Sequence, residues 1–275
     1  MADENELKKK FMIDDKSLRE EYNPEGSVLR NAQMRMLEIL KCVDSICKKH
    51  QIPYWLSGGT LLGAVRHGGF IPWDDDVDIE MMKEDYIKLI KILPKELPSQ
   101  YVLQDYKTDS HYVYQYAKVR DTHSLIIEHS KVNQSFKYQG LFIDIFPLDM
   151  TNPKLSKISS VLFNRLCFGI GGKGVARLLL LKMNSFILNS ILFPTFTLLT
   201  KCLSNKRLHY VYGISFLNET RKIEDLFPLK DIEFEGHKFQ SPKDTDAYLK
   251  KLYGDYMTIP EHKDVHLLDG QVKIW

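Results

Sequence analysis

The chain has 275 residues, 44% of them apolar, enough to bury a full core as one large domain or two modest ones. Its 38 Lys and Arg nearly balance 36 Asp and Glu for a net charge of +2, and no basic stripe or RNA-binding signature appears, so nucleic acid is not an expected partner. Cys42, Cys47, Cys167 and Cys202 form no CxxC or zinc-like set, which reads as free thiols in a reducing compartment.

Residues 1–26 read as a polar arm; the opening MADENELKKKF is charged and lacks the apolar stretch of a signal peptide, so a cytoplasmic protein is expected. From Ser27 to His50, Met36, Leu37, Leu40, Val43, Ile46 and Cys47 fall on one stripe of an amphipathic helix. Ile52–Leu56 has strand character and is broken by Ser57-Gly58-Gly59, where two glycines permit positive φ and close approach of the backbone to a ligand. Ser57 or Thr60 is placed to cap the next helix, Leu61, Leu62 and Val65 give it an apolar face, and Arg66-His67-Gly68-Gly69 close it. The N-terminus of such a helix is a ready phosphate site.

Asp74, Asp75, Asp76 and Asp78 follow. They repel one another unless solvated or neutralised, and an oxygen-rich set of this kind suits a hard divalent cation. Asp76-Val77-Asp78-Ile79 alternates as a strand, which puts Asp76 and Asp78 on one face; Asp74 joins them if the strand extends that far back. A charge run alone is most often a solvated loop. Its position after a Gly-Gly turn and helix, and within a period-two apolar strand, is what favours the metal reading.

Further strands are predicted at Val77–Met81, Tyr101–Asp105, Tyr112–Val119, Ser124–Glu128 and Leu141–Phe146, with a helix from Lys83 to Leu93 stopped by Pro94. Tyr112, Tyr114 and Tyr116 alternate onto one face, which either packs into the core, the weightier reading, or offers rings to a quaternary ammonium or a cytosine. Trp55 and Trp73 flank the acidic unit and can do the same. Arg66 and Arg120 are candidates for bidentate phosphate binding, Arg120 equally for pairing with Asp121. In LFIDIFPL, Asp144 interrupts an apolar run. A carboxylate there needs a basic partner or a metal, or serves as base for an incoming hydroxyl.

From Asn152 the character turns helical. Met183–Thr200 has no charge, but two Asn, two Ser, three Thr and Pro194 dilute its apolar signal below that of a membrane span. With Lys173, Arg177 and Lys182 before it and Lys201, Lys206 and Arg207 after it, residues 175–207 fit either a buried helical pair or an apolar face in peripheral contact with an anionic lipid surface. Gly171-Gly172-Lys173-Gly174 lacks phosphate-loop spacing and reads as a turn. Phe234–Phe239 reads as a hairpin, and Thr245–Leu252 as a helix leading into YGDYM, where Tyr253 and Tyr256 pack or line an acceptor.

GGT followed by RHGGFIPWDDDVDI resembles the LicD-type phosphotransferases, relatives of fukutin within the nucleotidyltransferase superfamily; GLFIDIFPLD at 140–149 and LYGDYM at 252–257 match as well. The resemblance spans Tyr54 to Tyr256 but is not matched in detail over 152–248. It implies an α+β fold: a nucleotidyltransferase-like mixed sheet with flanking helices over 27–151, and a mainly helical acceptor-binding region over 152–275. It implies Asp76, Asp78 and Asp144 as catalytic, with Asp74 joining them around Mg2+ or Mn2+. Gly58, Gly59, Thr60, Arg66, Trp73 and Arg120 complete the expected substrate contacts. The implied reaction moves a phospho-alcohol, phosphocholine first among them, from a CDP-linked donor to a hydroxyl of a cell-surface glycan or its lipid-linked precursor, and CMP leaves. The rivals are a nucleotidyltransferase that releases pyrophosphate and a non-catalytic glycan-binding relative.

Overall fold

The computed structural model describes residues 15–127, 132–168, 174–214, 220–260 and 272–275. The predicted turn at 171–173, Glu128 and residues 1–14 lie outside them. Within the N-terminal arm, residues 15–22 form a helix, α1.

Helix α2 (Val28–Lys49) is capped by Ser27, whose hydroxyl accepts from the Arg30 N–H, and it buries the whole expected stripe from Met36 to Cys47. A six-stranded mixed sheet follows. β1 (Trp55–Leu56), β2 (Asp78–Met82), β6 (Phe142–Thr151), β4 (Ala117–Asp121) and β3 (Tyr101–Gln104) lie side by side in that order, and β7 (Arg207–Tyr210) pairs with β6. The β2–β6 contact is parallel and the other pairings are antiparallel. β5 (Ser124–Ile126) pairs with β10 (Val272–Ile274) in a separate ribbon.

The two faces of the sheet differ in chemistry. Ile79, Ile145 and Ala117 are cross-strand neighbours, as are Ile143, Val119 and Leu103; all are buried, and α2 and α4 (Lys83–Glu96) pack on this side. The period of two turns every alternate residue to the opposite face. There Glu80, Asp78, Asp144, Lys118, Arg120 and Gln104 collect.

α4 runs past Pro94 to Glu96 rather than stopping at Leu93. Proline removes only its own N–H, and Leu97 N–H still closes on Leu93 O at 2.9 Å, so the last turn survives. The strand predicted from Tyr112 is β4 alone; residues 112–116 are irregular. β6 extends five residues beyond Phe146 because β7, which sequence reasoning did not anticipate, gives its C-terminal half a partner.

After β6 come three helices, α5 (Pro153–Phe163), α6 (Val175–Ile187) and α7 (Phe193–Cys202). A π turn at Leu188–Leu192 joins the last two into one helix of 28 residues. They gather Phe163, Leu181, Leu188, Phe193 and Phe196 into a second apolar cluster with Tyr112, Phe136 and Tyr212. The chain then returns to the main core through β7, α8 (Ile223–Leu226), the expected hairpin β8 (Lys230–Phe234) and β9 (His237–Ser241), and α9 (Thr245–Tyr253). All four cysteines are free, as read from the sequence.

That return is held by a buried carboxylate. Glu80 accepts from Trp55 Nε1 at 3.0 Å, Tyr210 and Tyr248 OH at 2.9 Å each, and Arg221 Nη2 at 2.5 Å. β1, β2, β7, α9 and Arg221, two residues before α8, thus meet on one side chain. Removing one partner of a buried pair leaves the other charge uncompensated. Glu80→Ala is expected to cost about 3–5 kcal/mol in a urea titration.

Candidate active site

Strand register brings the acids together. Asp78 of β2 is the direct partner of Asp144 of β6, Asp144 of Lys118 in β4, and Lys118 of Gln104 in β3. Direct partners share a face, so the four form one polar row across the sheet. Lys118 Nζ donates to Asp144 Oδ1 at 2.5 Å and lies 3.4 Å from the centroid of the Phe142 ring. Burial pushes the Lys118 amine down, and Asp144 opposes that. This lysine supplies the basic partner that Asp144 was expected to need.

The other acids sit in the loop before β2. The strand starts at Asp78, so Asp74, Asp75 and Asp76 are not strand residues, yet each offers an oxygen within 4.8 Å of the others. Asp75, not assigned a role from sequence, is part of this group. The loop and the strand act on each other: burial first, then Asp76, Asp144 and Asp74, push the Asp78 carboxyl well above the usual carboxylate range, and Lys118 pulls it back. Asp74 is raised in the same way by burial, then by Asp76 and Asp75.

Helix α3 (Gly58–His67) aims its N-terminus at these carboxylates. Gly58 has a φ of +54°, and a Cβ there would stand 3.1 Å from Asp78 Oδ2 and 3.7 Å from the Tyr253 hydroxyl. A Cβ on Gly59 would stand 2.6 Å from Asp74 Oδ2. The glycines therefore let backbone N–H groups come within reach of the acids, where any side chain would intrude. Neither capping expectation holds as stated: Ser57 is the N-cap residue but makes no side-chain cap, and Thr60 Oγ1 accepts the Asp78 N–H at 2.8 Å. Thr60 thus fixes the start of β2 against α3.

The remaining expected substrate contacts are turned inward. Arg66 is buried, donating to Tyr256 O at 2.8 Å and to His67 Nε2 at 2.9 Å, with its guanidinium 6.0 Å from the Trp73 ring. It pins the YGDYM segment to α3. Burial pushes Arg66 down, and Asp74 is the first group opposing it. Trp73 is buried edge-on to Tyr22 and His67. Arg120 is 1% exposed and donates to Gln104 Oε1 at 2.5 Å and Gly140 O at 2.6 Å; Asp121 pairs instead with Arg35 at 2.8 Å. Arg120 braces the sheet beside the site.

Tyr112, Tyr114 and Tyr116 cluster although they are not in a strand. Tyr114 and Tyr116 centroids are 5.0 Å apart, and Tyr116 stacks on Phe146 at 4.4 Å. Tyr112 is core, as the weightier reading had it; Tyr114 and Tyr116 stay half-buried. Burial, then Asp144, push the Tyr116 phenol up, and its partner Phe146 lies two residues from Asp144 along β6, so this aromatic wall stands beside the acids. A cavity of about 300 Å³ behind Tyr112 is lined by Tyr106, Lys107, Cys167 and Lys182, and none of the acids borders it.

Lys118 and Glu80 are what sequence reasoning missed. The signal for Lys118 was present: it shares the face of Arg120 in an alternating strand, and Asp144 called for a base. Nothing local marks the partners of Glu80.

A glycine corner opening a helix against carboxylates on adjacent strands of a mixed sheet defines a nucleotidyltransferase-type catalytic domain. The family described as LicD/FKTN/FKRP, nucleotidyltransferase domain, matches residues 51–165, which contain the corner, the acidic loop and Asp144. Over 254 residues, 86% of this chain and 94% of the relative, the chain is 30% identical to the lipopolysaccharide cholinephosphotransferase LicD of Haemophilus influenzae. It is 48% identical to the ribitol 5-phosphate transferase FKRP of Homo sapiens over 48 residues, 18% of this chain and 10% of that protein. It is 40% identical to the ribitol-5-phosphate transferase FKTN of Mus musculus over 52 residues, 19% of this chain and 11% of that protein. The chain belongs to the LicD family, and its activity class is that of a transferase.

Carboxylates this crowded are tolerated when protons or a cation neutralise them, and their all-oxygen donor set suits a hard divalent ion. A carboxyl with a raised folded pKa contributes fully below its unfolded pKa of about 3.9 and loses that contribution as pH climbs through the folded value. In chelator, the Asp78 and Asp74 contributions to thermal stability are therefore expected to fall as pH rises. Asp78→Asn is expected to flatten the fall. Asp144→Asn behaves oppositely: it strands buried Lys118 and costs about 3–5 kcal/mol, much of it recovered by adding Lys118→Met.

Proposed function

We propose that the chain transfers a phospho-alcohol, phosphocholine first among them, from a CDP-linked donor to a hydroxyl of a glycan or its lipid-linked precursor, releasing CMP. The observation that carries this reading is the juxtaposition of Asp78 and Asp144 in one cross-strand row, with the Asp74–Asp76 loop and the Gly58-Gly59 corner closing on them. The names of the full-length bacterial relative and of the two partial mammalian ones, all phospho-alcohol transferases, support it.

Asp74, Asp76, Asp78 and Asp144 are the residues that would hold a divalent cation, Mg2+ or Mn2+. Such an ion supplies neutralisation of the phosphoryl oxygens and of charge on the attacking and leaving oxygens. The chain's own residues do the rest. The α3 N-terminus at Gly58-Gly59 presents N–H groups and a positive dipole end to the diphosphate. Lys118 restricts Asp144 by holding one of its oxygens. The half-buried rings of Tyr114 and Tyr116, beside Phe146, suit a trimethylammonium group through cation–π attraction. The acceptor oxygen attacks the distal phosphorus, its proton passes to a carboxylate of the cluster, and the phosphorus–oxygen bond to CMP breaks. No nucleophilic side chain takes part. This reading requires a compartment where CDP-linked donors are made, the cytosol.

The test is incubation with CDP-choline, CDP-ribitol, CDP-glycerol and CDP-ethanolamine, each with a glycan acceptor, scoring CMP. CMP formation with CDP-choline is expected to be fastest. Asp76→Asn and Asp78→Asn should each lower turnover by about 10²-fold or more with an unchanged circular dichroism spectrum. Pyrophosphate release from CTP in place of CMP release would favour nucleotidyl transfer, and full activity of either variant removes the scheme.

A further inference from the structure

The helical layer carries an outward surface that the catalytic reading does not use. Over the continuous helix of α6 and α7, Leu181, Asn184, Leu188, Phe193, Phe196 and Thr200 form one buried stripe. Their spacing is three or four except for a step of five across the π turn at Leu188–Leu192. A π turn takes up one extra residue, and here it keeps the stripe in phase. The same turn keeps the opposite face in phase. Val175, Leu179, Met183, Phe186, Ile191 and Leu198 occupy it, and each is more than half exposed. Only 17% of the most apolar window of this helix is buried, so the buried helical pair weighed from sequence is not what forms.

Charge is as asymmetric as hydropathy. Between Asp149 and Glu219 the chain has nine Lys and Arg and no acidic residue, so all 36 Asp and Glu lie at or beyond those limits. Lys154, Lys157, Arg165, Lys182 and Lys201 are exposed around the apolar face. Two copies of this surface would bring like charges together, which disfavours self-association. An anionic bilayer complements both features.

We propose that α5, α6 and α7 dock the protein on an anionic phospholipid surface, with the α6–α7 helix lying in the plane of the interface. Its 28 residues would be about 42 Å long, enough to cross a bilayer. One flank, however, is covered by the domain from Leu181 to Thr200. Asn184 Nδ2 donates to Leu166 O at 2.8 Å, and the Thr200 hydroxyl meets Tyr212 OH at 2.5 Å, tying both halves to the domain. Such a helix has one face for lipid rather than a circumference, which is the geometry of an interfacial helix. The proposal is independent of the transferase chemistry.

The test is co-sedimentation of the full chain with vesicles of phosphatidylglycerol and phosphatidylcholine, against pure phosphatidylcholine, at low and high salt. Pelleting with the anionic vesicles, weakened by salt and small without phosphatidylglycerol, is expected. Leu179→Gln, Phe186→Gln and Leu198→Gln combined should abolish it. Lys157→Glu, Lys182→Glu and Lys201→Glu combined should lower the partition coefficient by about tenfold or more. Circular dichroism checks both sets; if the first set misfolds, the charge reversals at exposed positions decide. Failure of the unmodified chain to pellet with anionic vesicles overturns the proposal, as does unchanged binding by the variants. A lipid-free dimer that the glutamine set converts to monomer, without vesicle binding, assigns the face to a second copy and overturns it equally.

Discussion

Parallel pairing of β2 with β6 sets Asp78 directly beside Asp144, two like charges on one face of a sheet whose other face buries Ile79, Ile143, Ile145, Val119 and Leu103. The surroundings make that arrangement tolerable. Lys118 comes from the next strand to Asp144, and Thr60 pins the backbone of Asp78. Arg66 opposes the rise at Asp74, and Lys118 that at Asp78, yet burial and the neighbouring carboxylates still push both upward. These carboxylates lie where α3 directs the positive end of its dipole. Crowded carboxylates facing backbone donors are the arrangement on which the proposed pairing of a cation with a diphosphate rests. Glycine at 58 and 59 follows from the same constraint, because the helix must approach the carboxylates closer than a side chain permits.

The second constraint is Glu80, two residues along β2 on the same face. The strand therefore carries the acid of the proposed site and one that serves architecture, and their partners differ accordingly. Asp78 has carboxylate neighbours and a part-open surface; Glu80 is fully buried among Arg221, Tyr210, Tyr248 and Trp55. Arg221, Tyr210 and Tyr248 come from the late chain, so Glu80 draws β7 and α9 onto the sheet. α9 in turn brings the Tyr253 hydroxyl up to Gly58. Arg66, holding Tyr256 O, secures the same segment from the other side. YGDYM thus reaches the site by way of two buried ion-bearing clamps, neither of which needs to touch substrate.

What was legible in the sequence was what is written locally. The α2 stripe, the Gly-Gly break, the closing Gly68 and the β8–β9 hairpin each depend on residues a few positions apart, and Asp78 and Asp144 could be placed on strands before their register was known, although Asp76, read onto the same strand, lies in the loop before it. What was not legible depends on distant partners. β7 has little strand character of its own and forms because β6 offers an edge. Residues 112–116 alternate like a strand, yet their rings pack between the sheet and the helical layer and find no ladder. Arg66 and Arg120 looked like phosphate binders because arginine type and proximity in sequence cannot distinguish a guanidinium facing solvent from one spent on carbonyls and a glutamine. Lys118, with the same alternation as Arg120, is the residue that register carries to Asp144.

The helical layer links the two surfaces of the molecule. Its inner side holds Tyr112, Tyr114 and Phe136 against Phe163, Leu181 and Leu188, and Tyr116 continues the stack onto Phe146 next to Asp144. Its outer side is the apolar, cation-rimmed face. The aromatic wall of the site and the outward face are thus opposite sides of one layer a single helix thick, roughly 10 Å. A glycan acceptor carried on a lipid would meet this protein at the lipid surface, and a layer of that thickness leaves a short distance between the headgroup plane and the carboxylates. The absence of acidic residues between Asp149 and Glu219 then has a physical rationale: it leaves the side that would face phospholipid with positive charge alone.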